Sequence, residues 1–477
     1  MVAPQTTYGA KKWRLSGPSW VSLLRVHEAS PNAMKERPRS MRRLLTAALA
    51  GTALIGSMIV AAPASQAANP VPPNAFGMHV PQIANGEKPN ANIGSVRLWD
   101  AGIAWGQVQQ KKKKYWWAGM DAAIAAANAQ GMSITYVLGS TPKWAQKKKP
   151  KGTYPYGGTG AANPDMKIWK EWVKKVVKRY GASIDAYQIW NEANLADFYD
   201  GSPKQMAKLT KEAHKIIRKY DPSAKVVAAS STVRLTKSYN RFFPEYLKQL
   251  KKQKWPVDAI AVHTYPPGKD TPGDRLKLLD KVKKDMKKGK VPSRVELWDT
   301  EVNYGIKGPG KVKGQTITGG TAADWTASTF LDSILLGVDR TYWYYWYRPD
   351  GRLGIILDNA ADGDFGRLGY QTAYDWMVDS FYSCVRGGSS QPNVCQLGDA
   401  VDPEVVVWSN EGVGTYTVPA GATVQCNTLN QCSAVAPGTQ LPIGGSPLWF
   451  GSQGKYERLQ AKQRQNAAAR AAVQALP

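Results

Sequence analysis

The chain has 477 residues, which is long enough to bury a large hydrophobic core and argues for more than one domain. Its composition is that of a soluble globular protein, apart from 18 Trp, 22 Tyr and a formal net charge of +27. A positive field of this size favours polyanionic partners, such as acidic polysaccharides or an anionic cell envelope. Nucleic acid is the competing polyanion, but the lysine runs at 111–114 and 147–149 carry no recognition motif and are typical of solvated loops, so no nucleic-acid partner is expected.

A secretory signal is predicted at residues 41–67. Two arginines follow Met41, residues 44–62 are apolar, and the segment ends in small residues that suit cleavage after Ala67. A membrane-spanning helix is the alternative, and the Gly, Ser and Pro interruptions disfavour it. We therefore expect a secreted, extracellular protein, associated with the cell wall, that has no membrane span after signal removal.

Residues 1–40 lack hydrophobic periodicity and precede this complete signal. We expect them to be an over-extended N-terminus, with Met41 or Met34 as the true initiator.

The cysteines lie within the last hundred residues of the chain: Cys384, Cys395, Cys426 and Cys432. In an exported protein, four cysteines this close in sequence indicate two disulfides. Cys384–Cys395 and Cys426–Cys432 are the local pairings, although three connectivities are possible.

Strand-like and helical segments alternate through most of the chain. The strands are predicted near 76–80, 95–100, 134–139, 185–191, 225–231, 258–265, 294–301 and 339–346. Helical patterns between them, such as "DMKIWKEWVKKVVKRYG" with apolar residues at spacings of 3 and 4, imply a parallel sheet. Eight such units over about 300 residues fit a closed (β/α)8 TIM barrel at 68–382 better than an open doubly wound sheet. No glycine-rich phosphate-binding turn follows the first predicted strand, which argues against a nucleotide-binding sheet.

The pattern changes near residue 383. Short β-branched runs separated by Gly and Pro, without helical periodicity, predict a small disulfide-stapled, β-sandwich-like domain at 383–454. The tail at 455–477 is rich in Ala, Gln and Arg, and is predicted to be either helical or disordered.

Two of the predicted strands end on a carboxylate. The active site of a parallel barrel lies at the carboxyl ends of its strands. The fourth strand ends on Asn191 and Glu192, and the seventh ends on Glu301, with Glu296 and Asp299 as competing carboxylates earlier in that strand. Either end could be an ordinary solvated strand end, but a pair facing across a barrel mouth is what glycoside cleavage needs.

Other polar and aromatic residues end neighbouring strands. Arg97 ends the second strand and either enters the site or pairs with its neighbour Asp100. Trp343 and Trp346, in the eighth strand, are expected to face opposite sides, with Trp346 in the lumen. The remaining candidates are His263 and Tyr265 at the end of the sixth strand and Trp144 after the third. The four histidines are dispersed and lack metal-ligand spacing, so we expect neither a metal nor a cofactor.

The motifs "RLWD", "YVLGSTPKWA", "QIWNEAN", "VHTYP", "WDTEVNYG" and "YWYYW" together resemble those of the clan A retaining glycoside hydrolases. They are most similar to family 39, which includes β-xylosidases, α-L-iduronidases and bacterial exopolysaccharide endoglycosidases. The resemblance covers residues 76 to about 380, and the C-terminal unit resembles the accessory β domain common in this clan.

The resemblance implies a role for each candidate residue. Glu192 would be the general acid/base and Glu301 the nucleophile. Asn191 would bind the sugar 2-hydroxyl. The other substrate-binding positions would be Arg97 and Tyr265 near Glu301, His263 lining the cleavage subsite, Trp346 forming its floor, and Trp144 on the rim.

A retaining mechanism sets an expectation for each carboxyl. Glu301 must be ionised, so Arg97 and a Tyr265 hydrogen bond are expected to lower its pKa. Glu192 must keep its proton near neutral pH, which the charge of Glu301 is expected to favour.

The favoured hypothesis is a secreted, monomeric retaining glycosidase that acts on an oligo- or polysaccharide, with an anionic or cell-envelope glycan as the expected substrate. The alternatives are a catalytically silent carbohydrate-binding protein and a transglycosylase of the same fold.

Overall fold

The structure is a computed structural model, and it describes residues 70–146, 161–308, 312–347, 351–398 and 401–476. All of these residues lie in one compact unit, Ala61–Pro477. The predicted N-terminal extension and signal segment lie outside the described residues, as does the lysine run at 147–149.

The predicted barrel is confirmed. Its parallel strands are β1 (Phe76–Met78), β2 (Ser95–Leu98), β3 (Ser133–Val137), β4 (Ala186–Gln188), β5 (Lys225–Val227), β6 (Ser231–Thr232), β7 (Ala259–His263), β8 (Glu296–Val302) and β9 (Arg340–Trp343). The sheet runs in the order β5-β4-β3-β2-β1-β9-β8-β7-β6, and β5 also pairs with β7, which closes it. Since β5 and β6 both pair with β7, they form one interrupted strand, the fifth of the eight predicted.

The helices are α1 (Trp105–Val108), α2 (Ala118–Ala129), α3 (Met166–Tyr180), α4 (Pro203–Tyr220), α5 (Thr236–Lys252), α6 (Pro272–Gly289), α7 (Gly319–Leu335), α8 (Phe365–Met377) and α9 (Gln453–Gln474). Seven of them, α2 to α8, surround the barrel, and a short 3-10 turn at Ile83–Asn85 follows β1 in place of a helix. Helix α4 begins with a capping box: the Ser202 hydroxyl accepts the Gln205 N–H, and the Gln205 side-chain oxygen accepts the Ser202 N–H.

The barrel interior is filled by side chains of unequal size. Small residues on β4 and β7 leave space for Trp298 and Tyr342, and these two rings pack with them in one fully buried cluster. Gly77 on β1 faces the Tyr342 ring, where an added Cβ would lie 2.5 Å from that ring. The lumen is therefore solid through its middle, and space for a ligand is left only at the strand ends.

The C-terminal region forms two packed antiparallel sheets. Its strands are β10 (Ser383–Val385), β11 (Asn393–Gln396), β12 (Glu404–Trp408), β13 (Gly414–Thr417), β14 (Val424–Asn427), β15 (Cys432–Ala434), β16 (Gln440–Ile443) and β17 (Leu448–Gly451). Six strands form the larger sheet, and β13 pairs with β16 in the smaller one. Their facing side chains, among them Val405, Ile443 and Phe450, form a separate core.

The structure contains the two local disulfides, Cys384–Cys395 and Cys426–Cys432. Each cross-links a pair of directly opposed residues on adjacent antiparallel strands. The two bonds therefore reinforce both edges of the larger sheet.

The C-terminal tail is helical: α9 packs against the barrel at the end opposite to the carboxyl ends of the strands. Asn466 donates to Asp375 at 2.6 Å, and Arg470 donates to Asn92 at 2.5 Å. Among the described helices, α9 included, none has the length and apolar character needed to cross a membrane.

Candidate active site

The carboxyl ends of β2, β4, β7 and β8 bring the main predicted site residues into one buried cluster. Arg97 lies on β2, Glu192 follows β4, His263 ends β7, and Glu301 lies near the end of β8. Each is at most 9% exposed. The sequence positions converge because parallel strands of a closed barrel all end at the same rim.

A β-bulge turns Glu301 into the cluster. Along the β7–β8 pairing, Val262 faces Asp299 and His263 faces Glu301, so Thr300 is an extra residue on β8. An extra residue reverses the side-chain alternation beyond it. Asp299 and Glu301 therefore point to different faces of β8, although they are two residues apart.

Asp299 has a separate structural role. Arg275 of α6 donates to it at 2.8 Å, and both side chains are fully buried. The carboxylate also accepts the Thr264 backbone N–H at 3.2 Å. It therefore joins β8 to the helix layer and does not contribute to the sugar site.

Arg97 orients the nucleophile candidate and its neighbours. Its Nη1 donates to Glu301 Oε1, its Nη2 to Asn191 Oδ1 and its Nε to Gln188 Oε1, each at 2.7 Å. All three donors act from one planar, fully buried guanidinium, which fixes the three acceptors relative to one another.

His263 lies between the two candidate catalytic carboxyls. Its Nδ1 is 3.0 Å from Glu192 Oε1 and 3.2 Å from Glu301 Oε2. One oxygen of each carboxyl and a ring nitrogen of His263 all lie within 4.8 Å of one another. Glu192 and Glu301 therefore face each other across a single pocket.

The backbone at Glu192 has φ of +38°, in the left-handed region that a non-glycine residue rarely adopts. Its N–H donates to the Ser230 hydroxyl at 2.9 Å, and the adjacent Ala193 N–H donates to the Ser230 carbonyl at 2.9 Å. These bonds hold the strained turn and aim the carboxyl inward.

Tyr265 and Tyr344 line the site beside Glu301. The Tyr265 hydroxyl donates to Glu301 Oε2 at 2.9 Å. Tyr344, which is partly exposed, lies edge-on to Tyr265 and to His79, with ring centroids 5.9 and 4.8 Å apart. Tyr344 directly follows β9, the eighth predicted strand, and it is the aromatic residue there that lies against the site.

Burial raises the pKa of Glu192 to about 7. Arg234, a hydrogen bond with Thr232 and Arg97 oppose this rise, whereas Asp100 adds to it. The pKa of Glu192 is raised, as predicted, but the largest cause is desolvation and not the charge of Glu301. A carboxyl of this pKa keeps much of its proton at neutral pH, as a general acid requires.

Burial also raises the pKa of Glu301, against the expected lowering. Arg97 and His263 act in the expected direction, but desolvation exceeds them. The pKa of His263 falls to about 4 because the ring is fully buried, so His263 is neutral at pH 7. Arg97 is then the cation that favours ionised Glu301.

The two predicted tryptophans lie outside this cluster of contacts. Trp346 is 3% exposed and packs in the main hydrophobic core, and its backbone N–H donates to the His79 carbonyl at 3.0 Å. Trp144 follows β3, is partly exposed, and donates its indole N–H to the Gln109 carbonyl at 2.8 Å. Sugar contacts by either ring stay predictions.

The site residues predicted from the sequence do not include His79, Arg234 and Tyr344. His79 directly follows β1, and its Nε2 is 3.0 Å from the Thr300 carbonyl. Arg234 follows β6 and acts electrostatically on Glu192. A signal was present for each, because all three stand at the carboxyl end of a barrel strand.

Glu192, His263 and Glu301 also have the ligand types and spacing that could hold a metal ion. The Arg97 guanidinium 2.7 Å from Glu301 opposes a second cation there. The arrangement suits a sugar ring between two carboxyls better than a metal.

The barrel and its paired carboxyls define a glycoside hydrolase. The family described as "Glycosyl hydrolases family 39" matches residues 88–298, which include Arg97, Glu192 and His263 and end just before Glu301. This confirms the predicted resemblance to family 39 over residues 88–298, and it supports glycosidase activity for the chain.

Solved structures agree with this fold. The family 39 glycoside hydrolase from Bacteroides cellulosilyticus WH2 superposes with a TM-score of 0.58 at 14% identity, covering 81% of each chain. The family 39 β-xylosidase from Caulobacter crescentus gives 0.56 at 15% identity, covering 81% of this chain and 98% of the other. The family 39 enzyme from Xanthomonas axonopodis pv. citri gives 0.55 at 15%, covering 81% and 95%. No curated protein matches the chain.

Proposed function

We propose that the protein is a secreted retaining glycoside hydrolase that cleaves a polysaccharide by double displacement. The observation that carries this proposal is the separation of Glu192 and Glu301, whose nearest oxygens lie within 4.8 Å. Retaining enzymes place their carboxyls about 5–5.5 Å apart, whereas inverting enzymes leave about 6.5–9.5 Å for a water molecule.

In the first step Glu301 attacks the anomeric carbon while Glu192 gives its proton to the departing oxygen. The glycosidic bond breaks as an ester bond to Glu301 forms. Hydrogen bonds from Arg97 and Tyr265, one to each oxygen of Glu301, hold the attacking carboxylate in position.

In the second step water hydrolyses the ester. Esterification removes the negative charge of Glu301, so ionised Glu192 becomes more favourable and can accept the proton of the attacking water. The proton that Glu192 lost to the leaving group is thereby restored, and Glu301 leaves as a carboxylate.

The sugar 2-hydroxyl is assigned to Asn191. Since Arg97 donates to Asn191 Oδ1, the Asn191 side-chain amide presents its two N–H donors on its other edge. A donor bond to the 2-hydroxyl oxygen that strengthens in the transition state supports catalysis in this class of reaction.

The polysaccharide substrate and the extracellular location rest on other features. The predicted signal at 41–67 and the two disulfides support export. The chain after Ala67 keeps a formal net charge of +20, which supports an anionic or envelope-associated glycan, and the same charge supports association with the cell wall. A monomer is proposed, in agreement with a similar structure described as a monomeric β-xylosidase from Caulobacter crescentus CB15.

The test is hydrolysis of a panel of polysaccharides and aryl glycosides by the parent protein and by Glu192→Gln and Glu301→Gln. Glu296→Gln is the matched control, because Glu296 begins β8 at the opposite end of the barrel and pairs with Lys225. We expect the parent and the control to hydrolyse at least one substrate and both site variants to lose most activity. An inactive parent that binds glycans would show a silent binder, and transfer to added acceptor sugars would show a transglycosylase.

A further inference from the structure

Arg234 stands at the rim of the active-site cleft. It follows β6, and its side chain is partly exposed. Its Nη1 donates to the Gly308 carbonyl at 2.7 Å, and its guanidinium carbon lies 5.9 Å from the centre of the Tyr265 ring. These two contacts hold the cation beside the cluster that contains both catalytic carboxyls.

The two arginines of the site serve different carboxyls. Arg97 makes an ion pair with Glu301, the nucleophile. Arg234 is the charged group that most lowers the pKa of Glu192. In glycoside cleavage the departing sugar leaves next to the general acid. Asn194, two residues after Glu192, exchanges two hydrogen bonds with the backbone of Thr232, two residues before Arg234, at 3.1 and 2.9 Å. Arg234 therefore lies on the general-acid side, which is the leaving-group side of the cleft.

A cation in this position opposes the protonated form of Glu192. It favours the ionised form of Glu192, whereas the first step needs the protonated form. Arg234 is itself incompletely satisfied, since its Nε–H is buried and has no acceptor within the described part of the chain. A substrate anion beside this guanidinium would neutralise the charge that opposes Glu192.

The exposed residues near Arg234 on the rim also carry positive charges. Lys307 and Arg352 are both exposed, and the Lys307 backbone N–H donates to the Arg352 carbonyl at 3.1 Å, close to Gly308. Lys313, also exposed, lies on the same loop after β8. An anionic sugar is therefore attracted to this side of the cleft by several charges.

We propose that Arg234 forms an anion-binding subsite on the leaving-group side of the cleft, which takes a sugar that carries a carboxylate, such as a uronic acid. The inference rests on the proposed glycosidase function. A guanidinium suits a carboxylate because its planar fork can donate two parallel hydrogen bonds. With Nη1 engaged by Gly308 and Nε buried, Nη2 is the donor that a carboxylate in the cleft would meet.

The test compares two leaving groups of the same shape. Aryl glycosides of the sugar identified by the panel are made with 3-carboxyphenyl and 3-carbamoylphenyl leaving groups, which differ in charge but hardly in size. kcat and KM are measured for the parent, Arg234→Gln and Arg234→Lys. Arg241→Gln is the matched control, because Arg241 is an exposed arginine on α5.

We expect the parent to prefer the carboxyphenyl glycoside by about tenfold or more in kcat/KM, the effect of one charge-assisted hydrogen bond. Arg234→Gln should abolish the preference by lowering kcat/KM for the carboxyphenyl glycoside. kcat/KM for the neutral glycoside should not fall, because the variant removes a charge that opposes protonated Glu192. Arg234→Lys should keep part of it, the control should keep all of it, and added salt should weaken it.

Two other outcomes would separate a failure of the anionic subsite from a failure of the glycosidase function. Equal kcat/KM for both glycosides in the parent, or an equal loss on both in Arg234→Gln, would refute the anionic subsite while leaving the glycosidase function intact. A parent that hydrolyses nothing in the panel would overturn the proposed function and this inference with it.

Discussion

Arg97 and Glu301 form an ion pair that is closed to solvent: Nη1 and Oε1 are 2.7 Å apart, and the two side chains are 0% and 7% exposed. The same guanidinium also holds Asn191 and Gln188. One arginine therefore favours the ionised form of the proposed nucleophile against the effect of burial, and it fixes Asn191, the proposed partner of the sugar 2-hydroxyl.

Removing this arginine is expected to damage both stability and catalysis. Arg97→Gln should lower the free energy of unfolding by about 3–5 kcal/mol, because it leaves Glu301 buried without its cation. It should also lower kcat at least about 100-fold, since the attacking carboxylate loses both its charge partner and its orientation.

A double-mutant cycle separates these effects. The double variant Arg97→Gln/Glu301→Gln should lose less free energy of unfolding than the sum of the losses in the two single variants, because neither charge is left buried without its partner. Arg179→Gln is the control, since its ion pair with Asp121 is about 40% exposed. Equal stability losses for Arg179→Gln and Arg97→Gln would contradict the buried-pair interpretation.

The pH dependence of turnover is expected to report Glu192. Its pKa is raised to about 7, so the proton needed for the first step is lost as pH rises through about 7, and kcat/KM should fall there. Because Arg234 lowers this pKa, Arg234→Gln should move the fall to higher pH. The measurement is a pH–rate profile on a substrate with a poor leaving group.

Glu192→Gln provides the control for that profile. With a leaving group that needs no protonation, this variant should keep activity in the first step and show no fall near pH 7. If the fall persists unchanged in Glu192→Gln, another group controls it.

Asp332 on α7 is expected to make stability depend on pH. It accepts hydrogen bonds from Trp408 and Asn410 of the C-terminal domain, at 2.8 and 2.7 Å, and burial raises its pKa to about 7. The folded state then holds the proton more tightly than the unfolded state. Its contribution is full below pH 3.8 and is lost as pH rises through about 7.

Asp332→Asn should therefore gain stability relative to the parent between pH 5 and pH 8, by about 1 kcal/mol or more. Chemical unfolding at the two pH values measures the difference, with the exposed Asp280→Asn as the matched control. A constant difference between Asp332→Asn and the parent at both pH values would be inconsistent with a buried titrating carboxyl.

Helix α9 is expected to support stability without affecting chemistry. Ending the chain after Gly451 removes the bonds of Asn466 and Arg470 to the barrel and should cost about 2 kcal/mol or more. Activity per folded molecule should be unchanged, since α9 lies at the end opposite to Glu192 and Glu301. Asn466→Ala and the exposed Gln465→Ala form a matched pair for the same thermal-unfolding measurement. A truncated chain that unfolds at the parent temperature would show that α9 contributes nothing.

The sequence predicted the barrel because all of its strands could be recognised by local pattern, and strand ends alone pointed to Glu192 and Glu301. Side-chain direction near those ends could not be predicted. The bulge at Thr300 separates Glu301 from Asp299, and no local signal marks an extra residue in one strand of a pair.

Side-chain direction at the end of the predicted eighth strand, β9, could not be predicted either. Alternation between Trp343 and Trp346 assumed a strand that continued to 346, but β9 ends at Trp343, and Tyr344 lies against Tyr265 and His79. The pKa of Glu301 was predicted in the wrong direction for a related reason. A sequence shows which charges are near, but it does not show how much water the fold removes.

The most direct test of the account is to trap the intermediate. The protein is incubated with a 2-deoxy-2-fluoro glycoside of the sugar identified by the panel, which slows hydrolysis of the glycosyl ester, and the labelled peptide is located by mass spectrometry. The account predicts one sugar per protein, attached to Glu301, in the parent and in Glu296→Gln but not in Glu301→Gln. Attachment to any other residue, or turnover with inverted anomeric configuration and no adduct, would contradict it.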